Sequence, residues 1–274
     1  MTAGRRRNRW PAYGLLTLAA VVSLFPLLWT LESSFKTEIQ VEAYPPQLVH
    51  FTPTLDNYRE IFTSGLIHCL IVSCIVTLGT VTLTIVISAP CAYAIVRLKP
   101  YGRTALVLML VLIQVMPEIV LVIPLFSVVT AVHLYDTSIA LILVFTALTL
   151  PFATWILAAF FRGIPREIEE AAFVDGASRL KTLWYVVLPL TRPALATVAL
   201  FSAIGAWNEF LVPVVLSQQR ARPLSVFVAQ FITQQKILWG PLTASMVVLL
   251  LPIAVTAIVL QRYFVAGLTA GSLK

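Results

Sequence analysis

The stretch Ile164–Ala177 reads IPREIEEAAFVDGA and is a polar interruption between two long hydrophobic runs. It holds four of the chain's twelve acidic residues. Pro165 suits a first helical position, and the acidic residues follow where the helix dipole favours negative charge. Gly176 is expected to stop this helix, and Ser178 can cap a second one. The sequence therefore predicts a surface helix hairpin that is received by something outside the chain.

The composition is that of a membrane protein. Hydrophobic residues make up 59% of the 274 residues and charged residues 11%, whereas an ordinary soluble domain has about 25% charged residues. The net charge of +7 does not indicate nucleic-acid binding, because the basic residues lie in short runs that flank apolar segments. Cys69, Cys74 and Cys91 lie in or beside one apolar run without histidine partners, which favours packing over metal binding.

Six apolar runs are long enough to cross a bilayer, which takes about 20 residues. The expected spans are about 10–31, 67–96, 104–126, 137–161, 190–216 and 242–260, with a cytoplasmic loop at 162–189. The first run has a basic start like a signal peptide, but it is too long for one and offers no small-residue cleavage site. The expected fold is an all-α polytopic membrane protein, with six transmembrane helices and one cytoplasmic helix hairpin in a single domain of residues 1–274.

The distribution of basic residues predicts the topology. With six spans, fourteen of the nineteen Lys and Arg residues fall on the side of the two termini and of the hairpin. The positive-inside rule then places both termini in the cytoplasm. Ser178 and Gly271 are expected to be cytoplasmic, and Thr54 and Gln219 external.

Two carboxylates stand at membrane depth. Glu118 lies one helical turn after Gln114 in the third span, so the two are expected to form a polar stripe on one helix face. Glu209 follows Asn208 in the fifth span. Because a charged group facing lipid costs at least about 2.5 to 3.5 kcal/mol, both should face a partner helix or a wet cavity. A polar lining for a solute path and helix-packing hydrogen bonds are both open interpretations, with packing favoured for Glu209.

Other polar and aromatic residues allow two interpretations each. Trp155 and Trp207 can stack on the ring of a bound solute or anchor the helices at the membrane interface. The glutamine-rich external segment after Leu216 can face a soluble partner or lie on the membrane as an amphipathic helix. No phosphate-binding glycine loop, metal set or nucleophile constellation occurs in the sequence, so the chain is not expected to be an enzyme.

The hairpin carries a family resemblance. The spacing of Glu170-Ala171-Ala172, Gly176 and Leu188-Pro189 resembles the "EAA" loop of permease subunits in bacterial ATP-binding-cassette importers, with Val186 where isoleucine is usual. Further motifs fall in the family's order: Pro26-Leu27-Leu28-Trp29, Ser34-Phe35-Lys36, Asp56-Asn57-Tyr58, Pro151-Phe152-Ala153, Trp207-Asn208-Glu209-Phe210-Leu211 and Gly267-Leu268-Thr269-Ala270-Gly271. Over nearly its whole length, the chain is similar to the six-helix permease of maltose-type carbohydrate importers.

The resemblance implies a function and a set of partners. The expected function is that of a permease subunit, in the bacterial plasma (inner) membrane, of an ATP-driven importer that moves a sugar or sugar derivative inward. The implied partners are a second permease, cytoplasmic nucleotide-binding subunits that carry the ATP, and an extracytoplasmic solute-binding protein, with no cofactor on this chain. Coupling to the ATPase is implied for Glu170, Ala171, Ala172, Asp175 and Gly176.

Two other classes remain as alternatives. A self-sufficient secondary transporter would need an ion-coupling carboxylate in the membrane, for which Glu118 is the candidate. A membrane-embedded enzyme would need clustered catalytic residues near an interface, and the sequence shows none.

Overall fold

The computed structural model describes the backbone of residues 10–47 and 50–270 and the side chains of residues 13–47 and 50–256. Its helices are α1 Trp10–Ser33, α2 Glu38–Val41, α3 Asp56–Thr63, α4 Leu66–Tyr93, α5 Arg103–Val115, α6 Glu118–Ala131, α7 Ser138–Arg162, α8 Arg166–Val174, α9 Arg179–Thr182, α10 Leu188–Leu190, α11 Arg192–Asn208, α12 Leu211–Leu216, α13 Leu224–Ala229 and α14 Trp239–Ala270. A π-helical turn at Ala94–Leu98 extends α4, and another at Leu183–Val187 joins α9 to α10. Within the described ranges there is no strand, only an isolated bridge between Ile232 and Ile237.

Four helices in the described ranges are long and apolar enough to cross a membrane: Tyr13–Ser33, Leu66–Leu98, Ser138–Arg162 and Trp239–Thr256. Two more candidates are bent pairs, Arg103–Val115 with Glu118–Ala131 at 105° and Arg179–Leu190 with Arg192–Asn208 at 85°. The number of candidate spans is therefore four, or up to six if each bent pair is one span. The expected all-α polytopic class is confirmed. Gly271 and the basic residues at 5–9 and 274, on which part of the topology prediction depends, lie outside the described residues.

Two of the expected spans are interrupted. The run 104–126 is divided between α5 and α6, and the run 190–216 between α11 and α12. The first break falls at Pro117, where the proline disfavours a helical backbone in the residue before it. Met116 accordingly has an extended backbone, with φ −68° and ψ 129°.

One compact unit comprises Met1–Leu66 and Val228–Leu251, as far as these are described. In it, the chain after α1 is fastened to α3 by the buried Asn57, whose amide donates to the carbonyl oxygens of Ser34 and Lys36 at 2.9 and 2.8 Å. The Ser34 hydroxyl also bonds to the Tyr58 hydroxyl at 2.8 Å. Two of the motifs that carry the family resemblance therefore contact each other.

The other unit comprises Ile67–Phe227 and the described part of Pro252–Lys274. Its core consists of two apolar clusters that share α7. One packs α7 residues such as Leu157 and Phe161 against the end of α4, the turn at Leu183–Val187 and α11. The other packs Leu141 and Phe145 against the start of α4, α6 and α12. The hairpin lies beside the first cluster, and the two helix breaks lie beside the second.

Candidate coupling hairpin and translocation site

The first half of the hairpin is α8, which ends as the sequence predicts. Gly176 has φ +81°, a left-handed backbone conformation that residues other than glycine rarely adopt. The Gly176 N–H donates to the Phe173 carbonyl at 3.0 Å, and the Ala177 N–H donates to the Ala172 carbonyl at 2.9 Å. This pair of bonds is a Schellman motif, which satisfies carbonyls that a helix end leaves without partners. The helix stop at Gly176 is thus confirmed.

The second half begins at the predicted cap. The Ser178 hydroxyl accepts the Lys181 N–H at 3.4 Å, at the start of α9. The apolar side chains of this half are divided: Leu183 and Val187 are buried in the core, whereas Leu180 is 61% exposed. Pro165 is the residue before α8 rather than its first residue, a shift of one position.

The outer face of the hairpin carries the residues expected to couple to an ATPase. Glu170, Ala171, Asp175 and Gly176 are exposed, and Ala172 is partly buried. Val174, which precedes Asp175, is 87% exposed. An exposed apolar side chain among polar residues is compatible with a surface that receives another protein.

The inner face is held by an ion pair that the sequence does not reveal. The Glu169 side chain is 5% exposed and accepts a hydrogen bond from Arg97 Nε at 2.6 Å. Its other carboxylate oxygen accepts the Tyr93 hydroxyl at 2.8 Å. Arg97 Nη2 also donates to the Ile164 carbonyl at 2.8 Å, immediately before α8. The end of α4 therefore anchors the hairpin by charge-assisted bonds.

The expected stripe of Gln114 and Glu118 on one helix is wrong. Gln114 lies near the end of α5 and Glu118 is the first residue of α6, on the two arms of the 105° bend. Gln114 instead lines a cavity of about 260 Å³ with Trp155 and Arg162. Trp155 is 69% exposed in the described chain, whereas Trp207 is buried at 6%.

The two membrane-depth carboxylates meet at the helix breaks. Glu118 begins α6, Glu209 follows the last residue of α11, and the two carboxylates are neighbours. Glu209 also accepts the N–H groups of Leu211 and Val212 at 3.0 and 3.2 Å, which caps the start of α12. Glu209 thus joins the end of α11 to the start of α12, and it has Glu118 as a neighbour.

Asn208 is turned toward its own helix, since its amide donates to the Ile204 carbonyl at 2.9 Å. Of the four polar residues singled out at membrane depth, the structure brings together only Glu118 and Glu209. In the described ranges, no group of three or more His, Cys, Asp or Glu side chains is arranged to hold a metal ion.

The segment after α12 is held by Asp136 and is not a simple interfacial helix. Its only helix, α13, has six residues, and Phe227 within it is fully buried. The Asp136 carboxylate accepts four backbone N–H groups, of residues 218–221, at 2.8 to 3.3 Å. Partial burial alone would raise the pKa of Asp136, but these four bonds outweigh it and hold the pKa below its usual value.

These features define a class: an all-helical, polytopic membrane protein with an exposed helix hairpin. Residues 84–270 match the family described as "Binding-protein-dependent transport system inner membrane component". The trehalose/maltose permease MalG of Thermococcus litoralis is 36% identical over 94% of this chain and 94% of its own length. The trehalose permease SugB of Mycobacterium tuberculosis is 36% identical over 98% of both chains. The sulfoquinovosyl glycerol permease SmoH of Agrobacterium fabrum is 35% identical over 94% of this chain and 91% of its own length.

The fold has a solved counterpart. A chain of a bacterial ABC transporter involved in alginate import superposes with a TM-score of 0.79 at 22% identity, covering 96% of this chain and 100% of that one. The chain belongs to the family of binding-protein-dependent transport system inner membrane components. It is a permease component of an ATP-driven importer, not a self-sufficient transporter or an enzyme.

Proposed function

We propose that this chain is one of two permease subunits of a carbohydrate importer and that it moves a sugar or sugar derivative into the cytoplasm. Sugar substrates are named for the related permeases MalG and SugB and a sugar glycerol for SmoH. Both termini and the hairpin lie in the cytoplasm, where nucleotide-binding subunits bind ATP and dock. An extracytoplasmic solute-binding protein delivers the substrate from the other side. A solved alginate transporter of the same fold carries such a periplasmic protein.

The observation that carries the proposal is the two-sided hairpin. Its inner face is fixed to α4 through the buried Glu169, while its outer face presents Glu170 beside the small residues Ala171 and Ala172. A fixed inner face allows a push on the outer face to reach the helix bundle. ATP-driven closure of the docked subunits would in this way shift the permease between inward-open and outward-open populations.

The Gln114 cavity and the Glu118–Glu209 pair are the proposed lining of the solute path. Both stand beside the helix breaks, and transporters use discontinuous helices to build solute sites. The cavity of about 260 Å³ is slightly below the usual range of ligand pockets, about 300 to 1,000 Å³. A cavity of this size is compatible with one side of a solute path whose other side is formed by the second permease. Trp155, which lines the cavity, is available to stack on a sugar ring.

The test removes one charge from the outer face. Glu170→Ala should abolish sugar uptake and binding-protein-stimulated ATP hydrolysis while the chain still reaches the membrane. Loss of one member of a desolvated charge pair commonly costs about 2 to 5 kcal/mol, enough to weaken docking by more than tenfold. Glu167→Ala is the matched control, since Glu167 is an exposed carboxylate on the same helix. Normal uptake and normal stimulated hydrolysis in Glu170→Ala would contradict the proposal.

A further inference from the structure

Three consecutive polar side chains stand outward on the segment between α12 and α13. Gln218, Gln219 and Arg220 are exposed, while Ser217 before them and Ala221 after them are buried. A loop of this composition has little apolar surface of its own with which to fix its shape. Its conformation must therefore come from bonds to the rest of the unit.

Asp136 supplies most of these bonds from a distant part of the sequence. One carboxylate oxygen accepts the N–H groups of Gln218 and Ala221 at 2.8 and 3.1 Å. The other accepts those of Gln219 and Arg220 at 3.3 and 3.1 Å. The Asp136 N–H also donates to the carbonyl of Leu216 at 3.1 Å. Because all four amides point inward to the carboxylate, the intervening side chains are free to project outward.

Two further contacts fix the same segment to α4. His68 Nε2 donates to the Arg220 carbonyl at 3.0 Å. Farther along, the Leu224 N–H donates to the hydroxyl of the buried Ser73 at 2.7 Å. The segment 217–223 and the first residue of α13 are thus held by side chains from two other parts of the unit, and Asp136 accepts most of these bonds.

We propose that Asp136 is a positioning residue that presets the segment 217–223 as a contact site for the extracytoplasmic binding protein. The inference rests on the proposed function, which places this segment outside the membrane. The two glutamines and one arginine offer hydrogen-bond donors and a positive charge, which fit a polar, acidic edge of that protein. A loop that is already ordered loses less conformational freedom on docking, so Asp136 acts on affinity without touching the partner.

The test is the substitution Asp136→Asn in the assembled importer, with its binding protein titrated against ATP hydrolysis. Asparagine tolerates the φ of +57° at this position, so the backbone is not strained. The substitution leaves one acceptor oxygen and turns an NH₂ group toward two of the four N–H donors. The binding-protein concentration for half-maximal stimulation should rise about tenfold, equivalent to about 1.4 kcal/mol. Basal hydrolysis and the maximal stimulated rate should stay unchanged, and hydrogen exchange at residues 218–221 should become faster.

Two other variants complete the design. Glu60→Gln removes an exposed carboxylate from α3 and should leave the half-maximal concentration unchanged. His68→Phe keeps a ring but loses the bond to Arg220, so it should raise that concentration by a smaller factor than Asp136→Asn. If Asp136→Asn does not assemble, His68→Phe decides, and an unchanged concentration in that variant overturns the inference.

The outcomes separate the inference from the function on which it rests. If hydrolysis by the wild-type importer is not stimulated by any binding protein, the proposed function fails. If the wild type is stimulated and Asp136→Asn has the wild-type half-maximal concentration, the positioning role is overturned. A fall in basal and maximal rates at an unchanged half-maximal concentration would also overturn it, because that result describes a general structural defect.

Discussion

Replacing Glu169 by glutamine should loosen the hairpin from the helix bundle. Glutamine has the shape of glutamate and can keep a hydrogen bond to both Tyr93 and Arg97, but it removes the negative charge that compensates Arg97. The Arg97 side chain is only 11% exposed, so its charge would be left buried and unpaired. Removal of one partner of a buried ion pair costs about 3 to 5 kcal/mol. The lower end is expected here, because the bond of 2.8 Å from Arg97 to the Ile164 carbonyl survives.

Hydrogen exchange of the α8 amides measures this loosening directly. A cost of about 3 kcal/mol corresponds to more than a hundredfold faster exchange when local opening limits the rate. Glu167→Gln is the control, because an exposed carboxylate in the first turn contributes only about 0.3 to 1 kcal/mol through the helix dipole. Exchange of the α8 amides in Glu167→Gln should therefore be faster than in the wild type by about fivefold or less.

A double variant distinguishes a lost charge from general damage. In Glu169→Gln combined with Arg97→Met, both charges are gone and no uncompensated cation remains. Exchange should therefore be slower than in Glu169→Gln alone, although two hydrogen bonds are lost. Equal exchange rates in Glu169→Gln and Glu167→Gln would refute the anchor, and so would a double variant that opens more than the single one.

Four further predictions concern other parts of the chain. Gly176→Val should abolish uptake, with Gly176→Ala intermediate, because a Cβ at φ +81° is strained although no atom lies within 4 Å of it; wild-type uptake in the valine variant would contradict this. Single cysteines in a cysteine-free background should react with impermeant maleimide on intact cells at Gln219 but not at Ser178, and labelling at Ser178 would reverse the topology. Glu118→Gln should assemble normally and change the affinity or rate of uptake, whereas unchanged kinetics would reduce Glu118 to a packing role. A spin label at Gln219 should remain immobile down to about pH 4, because the four N–H bonds outweigh the burial of Asp136 and lower its pKa. The stability that the ionised Asp136 gives to the segment is complete above the unfolded-state pKa near 4 and is lost as the pH falls through the lower, folded-state pKa. Mobility of the label at pH 6 would contradict this.

The hairpin could be predicted from sequence because its signals are local. The left-handed helix end at Gly176 and the N-cap at Ser178 each depend on residues within one helical turn. The residue type at one position is therefore enough to predict where a helix ends or begins. The same holds for the long apolar helices, whose length alone matches a bilayer. The anchor could not be predicted, because Arg97 and Glu169 are 72 positions apart and each looks like a surface residue in its own segment. A basic residue at the end of a span is already explained by the topology, and an acidic residue early in a helix by the dipole.

The error over Gln114 and Glu118 has a different cause. The run 104–126 has a single charged residue, Glu118, and its hydrophobicity therefore predicts one helix, although Pro117 lies within it. Proline occurs inside α1, α4, α7 and α14, which continue past it, so proline alone does not decide between a kinked helix and a broken one. At Met116 the break is complete, and the two arms diverge by 105°.

The helix breaks give the two membrane-depth carboxylates a common explanation. A helix start leaves N–H groups without partners, and in the membrane each such group must find an acceptor within the protein. Glu209 meets that need for α12 with two bonds, and Glu118 stands at the equivalent start of α6, beside it. The two breaks therefore form one polar junction between α6 and α12. Such a junction costs less to bend than a continuous helix, since the first N–H groups of α12 already bond to the Glu209 side chain. When a push on the hairpin reaches α7 and α11 through their shared core, this junction is where we expect the helices to change direction.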